Sequence, residues 1–415
     1  MTRDGNGYTL VELVVVILIF SIVMLLMSTS FSRITSSSAQ IIKAAETDIG
    51  GLIGLELLRS DLDLAGFGLP WTLTGVKYRE ADNRVLVQGC PDGCPRADAS
   101  LFNDASTYAD APGAPPRAFV AGDNVGLNGS DYLVLKGTAL GMSRSSRRWS
   151  YLSYSSSGTI LKASKSEAEL KPGNGDRVIV LKTGIREGEP TRELVTDGVG
   201  GSYSFVFDTT LPTAFKPTSK LDSFLVYGVV QVDQRGDPAS LSFPFNRADY
   251  FISRTSAVSS TCAPGTGILY KAVFNHGSTS PGSSTPSSTT LNYYPILDCA
   301  ADLQAILFLD TNGDGVVDYH TCDPGPAYDA GVLRQQLKEI RVYILAQQGA
   351  KDRGYLFPVA DPEKAIVVGD AGLDQSTGAV LGSRWSEGDL ARAFGPEWRH
   401  YHWKLYTIVV QPQNL

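Results

Sequence analysis

Read for the spacing of apolar and polar positions, the chain divides into three stretches. From Tyr8 to Met27 every residue is apolar or aromatic except Thr9, Glu12 and Ser21. A helix of that length spans about 30 Å, the thickness of a bilayer's hydrocarbon core, so one membrane-crossing helix is predicted over residues 8–27. After a Ser/Thr-rich connection free of Pro and Gly, apolar residues return every three or four positions at Ile41, Ala45, Ile49, Leu52, Leu55, Leu58, Leu62 and Ala65. That spacing lines one face of a helix. Lys43, Glu46, Asp48, Glu56, Arg59, Asp61 and Asp63 fall on the other faces, and the Gly66 to Pro70 stretch stops the pattern. One helix from Tyr8 to about Ala65 is therefore expected, its first half in lipid and its second half against a soluble domain. Gly50, Gly51 and Gly54 weaken that helix by about 1 kcal/mol each relative to Ala. They read as points of close packing against a sheet, with local melting as the alternative.

From Phe67 onward the period changes. Short β-rich runs bounded by Gly, Pro, Asp and Ser predict strands near 132–135, 177–181, 203–207, 224–230, 250–252, 267–270, 305–309, 340–345 and 401–410. The expected fold class is α+β: a long N-terminal α-helix, transmembrane in its first half and amphipathic in its second, packed on a large, mainly antiparallel β-sheet domain. The expected organisation is a leader at 1–7, the helix at 8–66 and a β-rich domain at 67–415 carrying a Ser/Thr-rich surface loop at 277–290.

Charge and motif content narrow the function. The 415 residues carry a net charge of −7, and no Lys/Arg block exceeds the pair Arg147, Arg148. Binding to nucleic acid is not expected. Arg144, Arg147, Arg148 and Trp149 read as a solvated loop, and His400 and His402 as surface residues of a strand. No nucleophile elbow, zinc-protease helix, phosphate loop or dinucleotide fingerprint occurs, so the chain is not read as an enzyme. The conspicuous chemistry is Glu12, because a carboxylate within an apolar span costs several kcal/mol unless partnered and marks function by default.

Around Glu12 the sequence takes on a family likeness. Met1 to Gly7 is a short polar leader ending in Gly, and Gly7 through Leu13 resembles the class III signal of type IV pilins and type II secretion pseudopilins. The resemblance implies cleavage by a prepilin peptidase after Gly7, N-methylation of Tyr8, and an assembly role for Glu12 as the fifth residue of the cleaved chain. The physical logic agrees: cleavage creates an amine at Tyr8 in the same apolar setting as the Glu12 carboxylate, so neighbouring subunits can neutralise each other. Leu57 through Gly68 further resembles the end of this helix in PilW-type minor pilins. The C-terminal segments 303–318, 337–345 and 399–410 follow the strand, Asp-rich loop, strand and aromatic final strand of that group. The resemblance implies a minor pilin that helps initiate pilus assembly at the inner membrane and sits at or near the tip, presenting an adhesive surface. Its implied partners are the peptidase, other minor and major pilins and the inner-membrane assembly platform. The implied location is a single-pass inner-membrane anchor with its C-terminal domain outside the cytoplasm, then a surface pilus. A GspJ-like type II secretion pseudopilin and a pilin-anchored adhesin are the alternatives.

Outside the inner membrane disulfides persist. Cys90 and Cys94 flank a tight turn and are expected to bridge. Pairing among Cys262, Cys299 and Cys322 is not fixed by sequence; Cys262 to Cys299 is preferred, leaving Cys322 single. The spacing suits zinc poorly. Finally, Asp310, Asn312, Asp314, the Val316 carbonyl and Asp318 stand at the positions of an oxygen-donor calcium loop, with Gly315 at its sharp turn. Thr321 replaces the bidentate Glu of an EF-hand, so Ca2+ binding is expected to be weak, and a simple Asx-rich turn is the competing reading.

Overall fold

The computed structural model describes residues 10–81, 98–104, 114–155, 158–162, 169–198, 201–231, 241–254, 257–276, 291–323, 325 and 328–415. The leader with Gly7 and Tyr8, the Cys90 and Cys94 pair and the Ser/Thr-rich loop 277–290 lie outside the described residues. In chain order the elements are α1 (Leu10–Leu64), β1 (Phe119–Gly122), β2 (Tyr132–Gly137), β3 (Trp149–Ser155), β4 (Gly158–Lys162), β5 (Asp176–Arg186), β6 (Glu189–Leu194), β7 (Ser204–Val206), β8 (Ser223–Gln231), β9 (Asn246–Ser253), β10 (Gly267–Phe274), β11 (Leu291–Leu309), β12 (Tyr319–Thr321), α2 (Ala330–Gln336), β13 (Leu337–Gln348), β14 (Ile366–Leu373), β15 (Val380–Trp385), α3 (Glu387–Phe394) and β16 (His402–Val410).

The larger sheet has eight strands in the order β1-β2-β9-β10-β11-β13-β16, with β12 pairing beside β11. A six-stranded sheet runs β4-β3-β8-β5-β6 with β7 on β5, and β14 and β15 form a two-stranded sheet. All strand pairs in these sheets are antiparallel. The fold is thus α+β, a long helix on a mainly antiparallel β domain. The strand β11 is 19 residues long; from Ile296 to Leu309 only Asp298, Asp302 and Gln304 are polar and every residue but Asp298 is buried, as suits a strand covered on both faces.

One core joins the helix to both sheets. Leu58 and Leu62 of α1, Leu269, Leu303 and Ile344 of the larger sheet, and Ile179, Tyr227 and Val229 of the smaller one belong to a single buried cluster. On the opposite face of β11 and β13, Ile306, Phe308, Tyr343 and Leu345 pack under Trp385, Phe394 and Trp403. The Cys262 to Cys299 disulfide, with Cα atoms 5.2 Å apart, ties the segment before β10 to β11. Cys322 is a buried free thiol, pushed up to about 12 by burial.

Candidate assembly site

The helix α1 has two halves with different surroundings. From Leu10 to Ser28 its side chains are exposed, and the segment is long and apolar enough to cross a membrane. Ser21 donates its hydroxyl to the Ile17 carbonyl at 2.8 Å, so this polar group is satisfied inside the helix. Glu12 is exposed in the first turn, where the positive end of the helix dipole favours a carboxylate.

The second half is fixed to the domain. Leu55, Leu58, Leu62 and Ala65 are buried, each Leu contributing about 1.5–3 kcal/mol. Gly51 and Gly54 let the helix approach β11: a Cβ on Gly54 would lie 2.0 Å from the Ile296 carbonyl oxygen, and one on Gly51 2.7 Å from Leu297 Cδ1. These glycines take the sheet contact that the apolar spacing assigned to Leu52. Leu52 is instead 53% exposed.

A second correction concerns Asp61, expected on a solvent face and found fully buried. It forms an ion pair with Lys271, and Tyr250 Oη donates to its Oδ2 at 2.6 Å. Tyr250 and Lys271 stand directly opposite each other on β9 and β10, so one cross-strand pair grips one helix residue. Burial, and then the Asp61 charge, push the Tyr250 phenol well above its ordinary range. At the helix end Gly66 takes φ of +85°, a conformation cheap only for glycine, and its N–H donates to the Lys136 carbonyl at 2.8 Å.

Lys136 leads to a buried charge network that periodicity did not reveal. Its ammonium pairs with Glu80 at 2.7 Å and Asp104 at 2.5 Å. Arg247 pairs with Glu80 at 3.2 Å and with Asp249 at 2.8 Å, and Asp249 also accepts from Tyr132 Oη at 2.6 Å. With Arg117 on Asp104, three cations face three carboxylates. Burial alone would raise Asp104, but Lys136 and Arg117 hold it below the usual carboxylate range. The network clamps residues 80 and 98–104 onto β2 and β9. The available signal was a charge at an inward position of an apolar strand, as at Lys136 after Tyr132 to Leu135.

The Asp-rich loop spends its donors on itself. The Asp310 carboxylate accepts the N–H groups of Gly313 at 2.7 Å and Gly315 at 2.9 Å. Against the upward push of burial, those bonds and nearby Lys338 hold Asp310 below the usual range. Asn312 accepts from the Asp314 N–H at 2.8 Å, Asp314 from that of Val316 at 2.8 Å, and Asp318 from that of Thr311 at 2.7 Å. Val316 is exposed. Among the described residues no three acidic, His or Cys side chains gather where a metal ion could sit. As placed, Asp310, Asn312, Asp314 and Asp318 accept backbone N–H groups of their own loop, the pattern of an Asx turn. His402 stacks on Tyr355 with ring centres 3.7 Å apart, and His400 Nδ1 lies 2.8 Å from the Tyr355 carbonyl. These two histidines hold the Tyr355 segment, between β13 and β14, against the start of β16.

Residues 3–28 match the prokaryotic N-terminal methylation motif. The match covers the leader, the Gly7 to Glu12 signal and the apolar half of α1. No curated protein and no solved structure matches the chain. The N-terminal segment thus carries a type IV pilin-like class III signal.

Proposed function

We propose that this chain is a minor pilin of a type IV pilus. A prepilin peptidase cuts after Gly7 and methylates Tyr8, and the apolar half of α1 holds the product in the inner membrane with the β domain outside the cytoplasm. There the Glu12 carboxylate pairs with the terminal amine of an adjacent subunit, neutralising two charges that are costly in lipid and setting the register of one helix against the next. With other minor and major pilins and the inner-membrane assembly platform, the chain helps to start polymerisation and stays at or near the tip, where its large domain presents an adhesive surface. The observation that carries this reading is the methylation motif continuing into a helix whose second half is docked on a large domain.

The test is Glu12→Ala. Removing the carboxylate makes the span more apolar, so the variant should remain in the membrane fraction at the wild-type level, while its amount in sheared surface filaments falls by about ten-fold or more, as expected for loss of a desolvated charge pair. Equal amounts of variant and wild type in the filaments would end the assembly role. Wild-type protein found only with a secretion machinery and never in surface pili would move the reading to the pseudopilin.

A further inference from the structure

Where the two sheets meet, the indole of Trp71 is flanked by two cations. The guanidinium carbon of Arg192, on β6, and that of Arg334, on α2, each lie 4.3 Å from the centre of the Trp71 ring. The two like charges are thus at most twice that distance apart, and all three side chains are half-buried. Among the described residues neither guanidinium has an ion-pair partner or a hydrogen-bonded acceptor. Asp329, the acid nearest in sequence, caps α2 by accepting the Val332 N–H at 2.8 Å. Burial, and then the charge of Arg192, hold Arg334 below its ordinary range against the opposing pull of the Asp329 and Glu189 carboxylates.

Cation–π attraction offsets part of the cost of burying each guanidinium, by about 0.5–2 kcal/mol. It does not satisfy their N–H donors, which form a planar fork matched to oxyanions. The assembly is also held ready. The Trp71 and Thr72 N–H groups both donate to the Arg192 carbonyl, at 2.8 and 3.2 Å, and Leu194 donates to Thr72 at 3.1 Å. The backbone under the indole is therefore fixed before any ligand arrives, which lowers the entropic cost of binding. Beside Trp71 and Arg334 lies a cleft of about 20 Å³, room for little more than a water molecule, with an outer rim of Leu69, Pro116, Ala118 and Leu333 and of Asn414 and Leu415.

We infer that Arg192, Trp71 and Arg334 form a receptor for a carboxylate side chain presented by a partner polypeptide, whose aliphatic neighbour lies against the rim of the adjoining cleft. The paired cations supply the carboxylate's counter-charge, and the aliphatic rim residues distinguish a peptide from a bare inorganic anion.

The competing explanation is a purely structural staple, and the two differ in sign. The experiment uses full-length protein in detergent and three probes: the blocked tripeptide Leu-Glu-Leu, the blocked tripeptide Leu-Gln-Leu, and inorganic phosphate. Calorimetric titration should show binding of the Glu peptide alone, weakened about ten-fold or more by Arg192→Gln and by Arg334→Gln. Without peptide, Arg334→Gln should melt no lower than wild type, since one of two close like charges is gone. Arg334→Lys keeps the charge but loses the fork, and should bind more weakly than wild type; it also serves if the Gln variant does not fold. No binding of the Glu peptide by wild type, equal binding by wild type and Arg334→Lys, a lower melting temperature for Arg334→Gln, or binding of phosphate in preference to the Glu peptide would each overturn the assignment.

Discussion

The two halves of α1 belong to one uninterrupted helix, yet they meet different solvents. Residues 10–28 are exposed along their whole length, whereas Leu55, Leu58, Leu62 and Ala65 are sealed against a sheet and Asp61 is locked to Lys271 and Tyr250. Each half contains a carboxylate out of place for a simple helix. Asp61 is buried with its cation and a phenol donor around it; Glu12 is exposed on an apolar helix surface. The difference is one of burial: the same group is enclosed where the helix docks and open where the helix is long and apolar enough to cross a membrane.

The largest expected effect comes from breaking the enclosed ion pair. Asp61→Leu strands the buried Lys271 ammonium, so the domain should lose about 3–5 kcal/mol in chemical denaturation. Adding Lys271→Met should recover much of that loss, because two apolar residues replace two charges. An Asp61→Leu variant as stable as wild type would erase the distinction between the halves.

This pair also shows where the sequence stopped being legible. The helix limits, the nine anticipated strands and the preferred disulfide all rest on local signals: a three-to-four spacing, β-rich runs between turn residues, and a choice among three cysteines. Asp61 was not legible because an acid beside Leu62 in a surface-type helix ordinarily faces water, and its cation stands on a strand 210 positions away. Leu52 misled because glycines, invisible to an apolar count, form the tightest contact. Strand β6 (Glu189–Leu194) is polar apart from Pro190 up to its last residue and β3 (Trp149–Ser155) has Leu152 as its one aliphatic residue, so neither presents the apolar run that marks the nine anticipated strands, and tertiary pairing defines them. The loop from Asp310 to Asp318 was ambiguous in principle, since Asp, Asn and Gly serve both calcium ligation and Asx turns.

A smaller effect is expected at the glycine contact. Gly54→Ala adds helix propensity but drives a Cβ into the Ile296 carbonyl, and overpacking of this kind costs about 1–3 kcal/mol. The loss should appear as a lower denaturation midpoint. A Gly54→Ala variant with the wild-type midpoint would mean that the helix does not approach β11 as described.

Smaller still is a pH effect on the domain that holds the docked half. Burial raises Asp131 well above its ordinary 3.8 and raises Asp302 as well. A raised folded-state value favours the protonated form, so this contribution is fully present below the unfolded value and is lost as pH rises through the folded value. Asp104 is depressed, so its contribution is present above 3.8 and is lost as pH falls below it. Buried His276, lowered from 6.5 to about 3, acts in the opposite sense, its contribution being lost as pH falls below 6.5, so the effect of Asp131 is read by comparison: between neutral pH and 3.8 the wild type should gain more melting temperature, or lose less, than Asp131→Asn. Identical pH profiles for the two proteins would show that Asp131 is not buried as described.

An exposed half of α1 made for processing and assembly, and not for tethering alone, requires cleavage and methylation at its start. Mass spectrometry of the N-terminus, on protein purified from a host with prepilin peptidase, reads both events at once. The expected product begins at Tyr8 with a methylated amine; a chain still beginning at Met1, or one cut beyond the apolar segment after Ser30, would rule out such processing.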